Sequence, residues 1–136
     1  MTNDIEKILT IRAMVAISTV TYLTWVFGRI IFWEYIEPDM RRLLEVDGFG
    51  ARIPEFDYAY IFWIAMSLAS YAGIWLLRRW GRDLLVVTYL LTIVLAPFSG
   101  AMINAPLERV LMIVFLLVDG MIIGLTYLAW PSILKK

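Results

Sequence analysis

The sequence predicts an all-α integral membrane protein, an antiparallel bundle of four transmembrane helices with both termini in the cytoplasm. Of its 136 residues, 62% are hydrophobic, whereas a soluble domain is about 45–50% apolar. The excess is concentrated in four long runs, which is typical of membrane spans. Basic residues mark alternate connections, which indicates the orientation. A chain of this length is short for two domains, so residues 1–136 are predicted to form one unit.

The first predicted span is Ile8–Trp33, which follows a short polar tail. Arg12 and Arg29 bracket its uncharged centre, and both side chains are long enough to reach the two interfaces. No small-residue cleavage site follows the run, so we expect this helix to remain in the mature protein. One helical face is too polar for lipid and is expected to point into the bundle. Its residues are Ser18, Thr21, Thr24 or Trp25, and Gly28.

The long connection Glu34–Asp57 is rich in acidic residues. Pro38 suits the first turn of a helix and Gly48 suits its end. Asp39–Val46 is therefore predicted as a short helix whose apolar side lies at the membrane surface. Two interpretations of this connection remain open. It is either a solvated connector, or a docking surface or lid over the bundle.

The second predicted span, Tyr58–Leu77, carries no charge, and its small residues stand four apart. These residues are Ala65, Ala69 and Gly73. Small residues at this spacing let two helices approach closely. A tight basic turn, Arg78–Asp83, is predicted to follow this span.

The third predicted span is Leu84–Ile103. One face of this span is marked by small and hydroxyl-bearing residues, namely Thr88, Thr92, Ala96 and Ser99. Pro97 predicts a kink, because proline removes a helical hydrogen bond and clashes with the preceding turn.

The fourth predicted span, Val110–Trp130, is the longest uninterrupted apolar stretch apart from one carboxyl group, Asp119, near its middle. It exceeds the roughly 20 residues that a bilayer requires. Gly120 and Gly124 follow Asp119 at GxxxG spacing, which favours close helix packing. We expect this pair to pack on the small residues of the second span, and dimerisation is the alternative.

The basic residues of the short connections predict the orientation. The turn after the second span and the tail Lys135–Lys136 indicate the cytoplasmic side, and Lys7 and Arg12 agree. The acidic connection Glu34–Asp57 then lies outside. Short connections and an untargeted start suit a multi-pass protein of a bacterial-type plasma (inner) membrane.

Asp119 is the centre of the candidate proton or hydrogen-bond site, which also includes Arg29, Thr21 and Thr92. A lipid-facing carboxyl group is unfavourable, so Asp119 is expected to face the bundle as a neutral acid. As such it could donate to the hydroxyl groups of neighbouring spans, namely Thr21, Thr24, Thr92, Ser67 and Ser70. Arg29 is the candidate counter-charge, but it lies roughly 13 Å from the midplane. Pairing of Arg29 with Glu34 or Glu108 at the outer surface is therefore favoured over pairing with Asp119.

The sequence lacks the residues that several classes of enzyme and metalloprotein require. The chain has no cysteine and no histidine, which removes the usual ligands of zinc, haem and iron–sulfur centres and the Ser-His and Cys-His pairs. A pair of facing acids is also missing, because Glu108 lies roughly 16 Å from Asp119 along one helix. We therefore predict neither an enzyme nor a cofactor. A net charge of zero gives no electrostatic basis for nucleic-acid binding.

The function predicted from these observations is non-catalytic. The protein is expected to be a small accessory or assembly subunit in the lipid bilayer that packs with another membrane protein or with itself. The alternative is a small proton- or cation-coupled transporter or channel that uses Asp119. Loss of a pH-dependent flux in Asp119→Asn would favour the alternative.

Overall fold

The computed structural model describes residues 2–31, 33–35, 38–39, 55–95 and 106–134. Throughout these ranges the regular structure is helical, so the all-α prediction is confirmed. Four helices dominate: α1 (Thr2–Ile31), α2 (Glu55–Trp75), α3 (Arg79–Leu95) and α4 (Pro106–Gly124). A 3₁₀ turn, Trp33–Tyr35, follows α1, and a π-helical turn, Leu125–Ala129, continues α4. The predicted kink at Pro97 and most of the predicted helix Asp39–Val46 lie outside the described residues.

All four helices begin earlier than the sequence analysis predicted, α2 and α4 by only three and four residues. The polar tail is not separate from the first span, because α1 begins at Thr2. Asp4 lies in its first turn, where a negative charge is favourable, and the Lys7 ammonium lies 3.6 Å from the Asp4 carboxylate. The basic segment Arg78–Asp83 was predicted as a turn, but α3 already begins at Arg79.

The actual turn between α2 and α3 is short and is closed by a Schellman motif. The Arg78 amide donates to the Gly73 carbonyl at 2.9 Å, and the Leu77 amide donates to the Ile74 carbonyl at 2.8 Å. Leu77 occupies the left-handed position of this motif with φ of 57°. Glycine is usual there because a side chain is strained in this region. The Leu77 side chain is buried, and this burial offsets part of the strain.

Two glycines let α2 and α3 approach closely. A Cβ atom added to Gly73 would lie 2.6 Å from the Cα of Gly81, so neither residue has room for a side chain. This contact is how Gly73 serves packing, as predicted, but its partner lies on α3 and not on the fourth span. Atoms added to Gly120 and Gly124 would meet nothing within 4 Å. No described residue therefore packs on these two glycines, and their predicted packing within the bundle stays a prediction.

The contacts between pairs of helices differ in extent. The most extensive contacts join α1 with α4 and α2 with α3, and a smaller contact joins α1 with α2. Ala65 on α2 is exposed and Ala69 is half-buried, so the predicted small-residue face contributes mainly through Gly73. A contact between the second and fourth spans through small residues stays a prediction.

The centre of the bundle holds an aromatic cluster around Tyr22. The ring of Tyr22 is almost fully buried, and its centroid lies 5.5 Å from that of Phe115 and 5.7 Å from that of Trp63, both in edge-on geometry. Such geometry is favoured between aromatic rings. The remaining buried apolar residues of this core are Ile11, Val15, Tyr71, Ile74, Leu85 and Ile122.

Two described segments, Asp4–Gly28 and Leu107–Ala129, are long and apolar enough to cross a membrane. A shorter apolar helical segment, Ile61–Trp75, belongs to α2. The structure thus supports an all-helical protein with two helices able to span a bilayer.

A candidate site built around Asp119

Asp119 lies at the point where all four helices meet. Its side chain, on α4, is 0% exposed. One carboxyl oxygen, Oδ1, accepts a hydrogen bond from Ser18 on α1. The other, Oδ2, accepts one from Tyr71 on α2 at 2.7 Å and one from Tyr89 on α3. We call Ser18, Tyr71, Tyr89 and Asp119 the Asp119 node.

The side chains around Asp119 are held in place by their own surroundings. Ser18 is fully buried, and its Oγ lies 3.2 Å from the Tyr71 hydroxyl, so two of the donors also contact each other. The Tyr71 ring packs edge-on against Tyr22, with 5.9 Å between centroids. The aromatic core therefore orients a hydroxyl group towards the acid.

Asp119 is the acceptor in all three of these hydrogen bonds. A carboxyl group whose two oxygens both accept can take up to about four such bonds, so three donors nearly saturate it. The sequence analysis expected a neutral acid that donates its own proton to neighbouring hydroxyls, and this protonation state stays a prediction. The arrangement is that of a polar junction between helices, with each neighbouring helix supplying one donor.

The hydroxyl groups predicted as partners of Asp119 bond to their own helices instead. Thr21 donates to the Ile17 carbonyl at 2.7 Å, and Thr92 donates to the Thr88 carbonyl at 2.8 Å. The other three predicted partners behave in the same way, namely Thr24, Ser67 and Ser70. A serine or threonine inside a helix readily satisfies its hydroxyl on the preceding turn. The predicted hydroxyl partners are therefore replaced by other residues, and Asp119 remains the acid at the centre of the site.

Arg29, the predicted counter-charge, belongs to α1, but its side chain lies outside the described residues. Thr92 has a different role from the predicted one, because its hydroxyl also accepts a hydrogen bond from the Trp63 indole at 2.8 Å. The sequence reasoning missed Tyr71 and Tyr89. A tyrosine deep inside an apolar run, where its hydroxyl needs a buried partner, is the signal that would have found both.

A second polar cluster closes the end of α4. Because Pro131 has no amide hydrogen, the π-helical turn leaves the Thr126 carbonyl without its backbone donor. The Trp130 amide donates to the Leu125 carbonyl at 2.6 Å, and Arg82 Nη1 donates to the Thr126 carbonyl at 3.3 Å. An arginine of α3 thus completes the hydrogen bonding of α4.

The same arginine binds an exposed carboxylate and an aromatic ring. The Arg82 guanidinium lies 3.6 Å from the centre of the Tyr127 ring and 2.9 Å from Asp83 Oδ1. The Tyr127 hydroxyl donates to that Asp83 oxygen at 2.5 Å. This hydrogen bond, followed by those from Arg82 and its charge, lowers the pKa of Asp83 below its ordinary value.

We expect Tyr127→Phe to raise the pKa of Asp83 towards 3.8, its ordinary value. In the wild type, the stability from ionised Asp83 is complete above the unfolded-state pKa and is lost as the pH falls through the lower folded-state pKa. The variant should therefore lose this contribution at a higher pH. A carboxyl-carbon NMR titration of Asp83 measures both values, with Tyr35→Phe as the control. An unchanged Asp83 titration in Tyr127→Phe would contradict this assignment.

The chain matches no protein-family model, no curated protein and no solved structure. Fold and site together define an all-helical protein with two helices able to cross a membrane and a buried acid bonded to a hydroxyl from each of three other helices. Among the described residues, no group of three or more acidic, cysteine or histidine residues could hold a metal ion.

Proposed function

We propose that the protein is a small, non-catalytic, multi-pass membrane protein. It acts as an accessory or assembly subunit that packs with other membrane helices. Its four helices cross a bacterial-type plasma membrane, with both termini in the cytoplasm. The observation that carries this proposal is the buried Asp119 node, with three donors to one acid, inside a bundle whose outer surface is apolar.

The distribution of polarity supports membrane insertion. Large apolar side chains cover the outside, for example Leu117, which is 65% exposed, and Leu128, which is 85% exposed. The buried residues include hydroxyl groups and two acids, namely Ser18, Ser67, Ser70, Thr88, Thr126, Glu108 and Asp119. Continuous apolar surfaces of this kind are unfavourable in water and favourable in lipid.

The closure of the Asp119 node supports an assembly role over transport. A transported proton or cation has to reach its site from water on either side. Asp119 is fully buried, and its three donors come from three different helices, so access would require those helices to separate. A group in this position stabilises the arrangement of the bundle, which is what an assembly subunit requires.

The outer face of α4 supports a role in helix packing. Gly120 and Gly124 lie on a helix whose neighbouring side chains Leu117 and Met121 are exposed, and a Cβ atom added to either glycine would meet no described residue within 4 Å. Glycines at this spacing permit the backbone of another helix to approach closely. The open face therefore suits a partner helix.

Site-specific photo-crosslinking in native membranes tests the proposal. A photoreactive residue at Leu117 should form a covalent adduct with another polypeptide. The same residue at Ile122, which is 0% exposed, is the matched control and should give only internal products. The chain should also stay in the membrane after alkaline extraction. A stable, lone monomer with no adduct at Leu117 would contradict the proposed function.

A further inference from the structure

Two arginines at one end of the bundle are each held by a single nitrogen. Arg12 Nε, on α1, donates to the carbonyl of Trp75, the last residue of α2, at 3.4 Å. Arg79 Nε, at the start of α3, donates to the Leu134 carbonyl at 3.2 Å. These bonds fix the position of each guanidinium and leave its terminal nitrogens, Nη1 and Nη2, for another acceptor.

Within the described residues, neither guanidinium forms an ion pair with a carboxylate, although the charge of Arg79 helps to lower the pKa of Asp83. The described ion pairs join Lys7 to Asp4 and Arg82 to Asp83, so the acid nearest in sequence to Arg79 is already engaged. Arg79 is exposed and Arg12 is partly exposed. Two accessible guanidinium groups at the same end can therefore each take a further acceptor.

Aromatic side chains accompany these arginines. The Arg12 guanidinium lies 5.6 Å from the centre of the Trp75 ring. Trp75 and Trp80 are both exposed. Exposed tryptophans next to arginines are typical of the level at which lipid headgroups meet hydrocarbon. This end of the bundle thus combines the anchors of a membrane interface with two guanidinium groups that have donors left for a further acceptor.

We propose that Arg12 and Arg79 bind the phosphate groups of anionic phospholipids at this end of the bundle. A guanidinium presents a planar fork of donors that matches phosphate oxygens, and its charge is neutralised by the lipid. The Nε bonds to Trp75 and Leu134 pre-orient both forks, so little side-chain freedom is lost on binding. This inference rests on the proposed membrane insertion.

Native mass spectrometry of the purified full-length protein tests the inference. The probes are phosphatidylglycerol and phosphatidylcholine with identical acyl chains. We expect the wild type to prefer phosphatidylglycerol. A basic residue near an anionic membrane surface contributes about fivefold in affinity. Arg12→Gln and Arg79→Gln should each lose about that factor, and the double variant should lose about 25-fold.

Two controls separate lipid recognition from loss of structure. Arg109→Gln removes one exposed arginine at the other end of α4 and should leave the preference unchanged. The double variant Arg12→Lys with Arg79→Lys keeps both charges but loses the planar forks and both Nε bonds. It should therefore bind more weakly than the wild type and more tightly than the double glutamine variant. Equal loss in the lysine and glutamine variants would overturn the proposal, because the charge would then not be what recognises the lipid.

Different experimental outcomes would contradict lipid binding and membrane insertion. A chain that alkaline extraction releases from membranes would contradict membrane insertion itself. A chain that remains inserted but binds both lipids equally would overturn only the lipid site. Displacement of phosphatidylglycerol by an equal concentration of inorganic phosphate would also overturn it, since the site would then recognise the free anion.

Discussion

Asp119→Ala is expected to lower the free energy of unfolding by about 3 kcal/mol. The substitution removes the shared acceptor of three buried hydroxyl groups, on Ser18, Tyr71 and Tyr89. Interhelical hydrogen bonds in membrane proteins contribute about 0.6–1.7 kcal/mol each, and a buried hydroxyl left without a partner adds a desolvation cost. Because the three donors lie on three helices, their loss weakens every contact of α4 with its neighbours.

Unfolding in mixed micelles with increasing dodecyl sulfate, followed by tryptophan fluorescence, measures this loss. Thr21→Val and Thr92→Val are the controls. Each removes a hydroxyl whose donor bond goes to its own helix, so we expect changes well below that of Asp119→Ala. A destabilisation by Thr21→Val as large as that by Asp119→Ala would indicate that the predicted partners are the functional ones.

Gly81→Ala is expected to destabilise the α2–α3 pair by about 3 kcal/mol, at the upper end of the usual cost of overpacking. The added Cβ would lie 2.5 Å from the carbonyl carbon of Gly73 and 2.5 Å from the amide nitrogen of Ile74. Both are backbone atoms, which cannot move aside by a rotamer change. The two helices would have to separate, and the Schellman turn between them would be strained.

Gly120→Ala is the matched control for Gly81→Ala. It places the same methyl group on a helix where no described residue lies within 4 Å of it. Alanine is favoured over glycine inside a helix by roughly 0.5–1 kcal/mol, so the isolated bundle should be unchanged or slightly more stable. The same unfolding titration compares the two variants. Equal destabilisation by both would contradict the assignment of the close contact to Gly73 and Gly81.

The periodicity and composition of the chain were sufficient to predict the helices and to select Asp119. A long apolar run with a single acid at its centre is a strong signal, since the acid is unfavourable unless it is buried. The polar face of the first span also contained Ser18, which does contact Asp119. What the pattern could not supply was the partner on each of the other helices.

The errors have identifiable physical causes. Tyr71 and Tyr89 were overlooked because the sequence analysis looked for threonine and serine hydroxyls, and those groups are satisfied locally on the preceding turn. A tyrosine hydroxyl cannot reach its own backbone in this way, so it bonds across the bundle. Glycine spacing was also insufficient. Gly120 and Gly124 share the motif spacing, but a Cβ atom added to either would meet no described residue within 4 Å, whereas Gly81 was predicted only as part of a turn and makes the closest contact.

The helix ends depended on single residues that periodicity does not register. Leu77 ends α2 in a left-handed conformation usually given to glycine. Pro131 removes one amide hydrogen, and Arg82 supplies the missing donor to the Thr126 carbonyl from another helix. Such long-range compensation follows from the fold and is not visible in a local stretch of sequence.

Asp119 joins the four helices through Ser18, Tyr71 and Tyr89. A double-mutant cycle measures this coupling, with Asp119→Ala combined in turn with Tyr71→Phe and Tyr89→Phe. We predict a coupling energy of about 1 kcal/mol for each pair. The parallel cycle with Thr92→Val should be additive to within about 0.3–0.5 kcal/mol. Additivity of Asp119→Ala with both tyrosine variants would contradict the account.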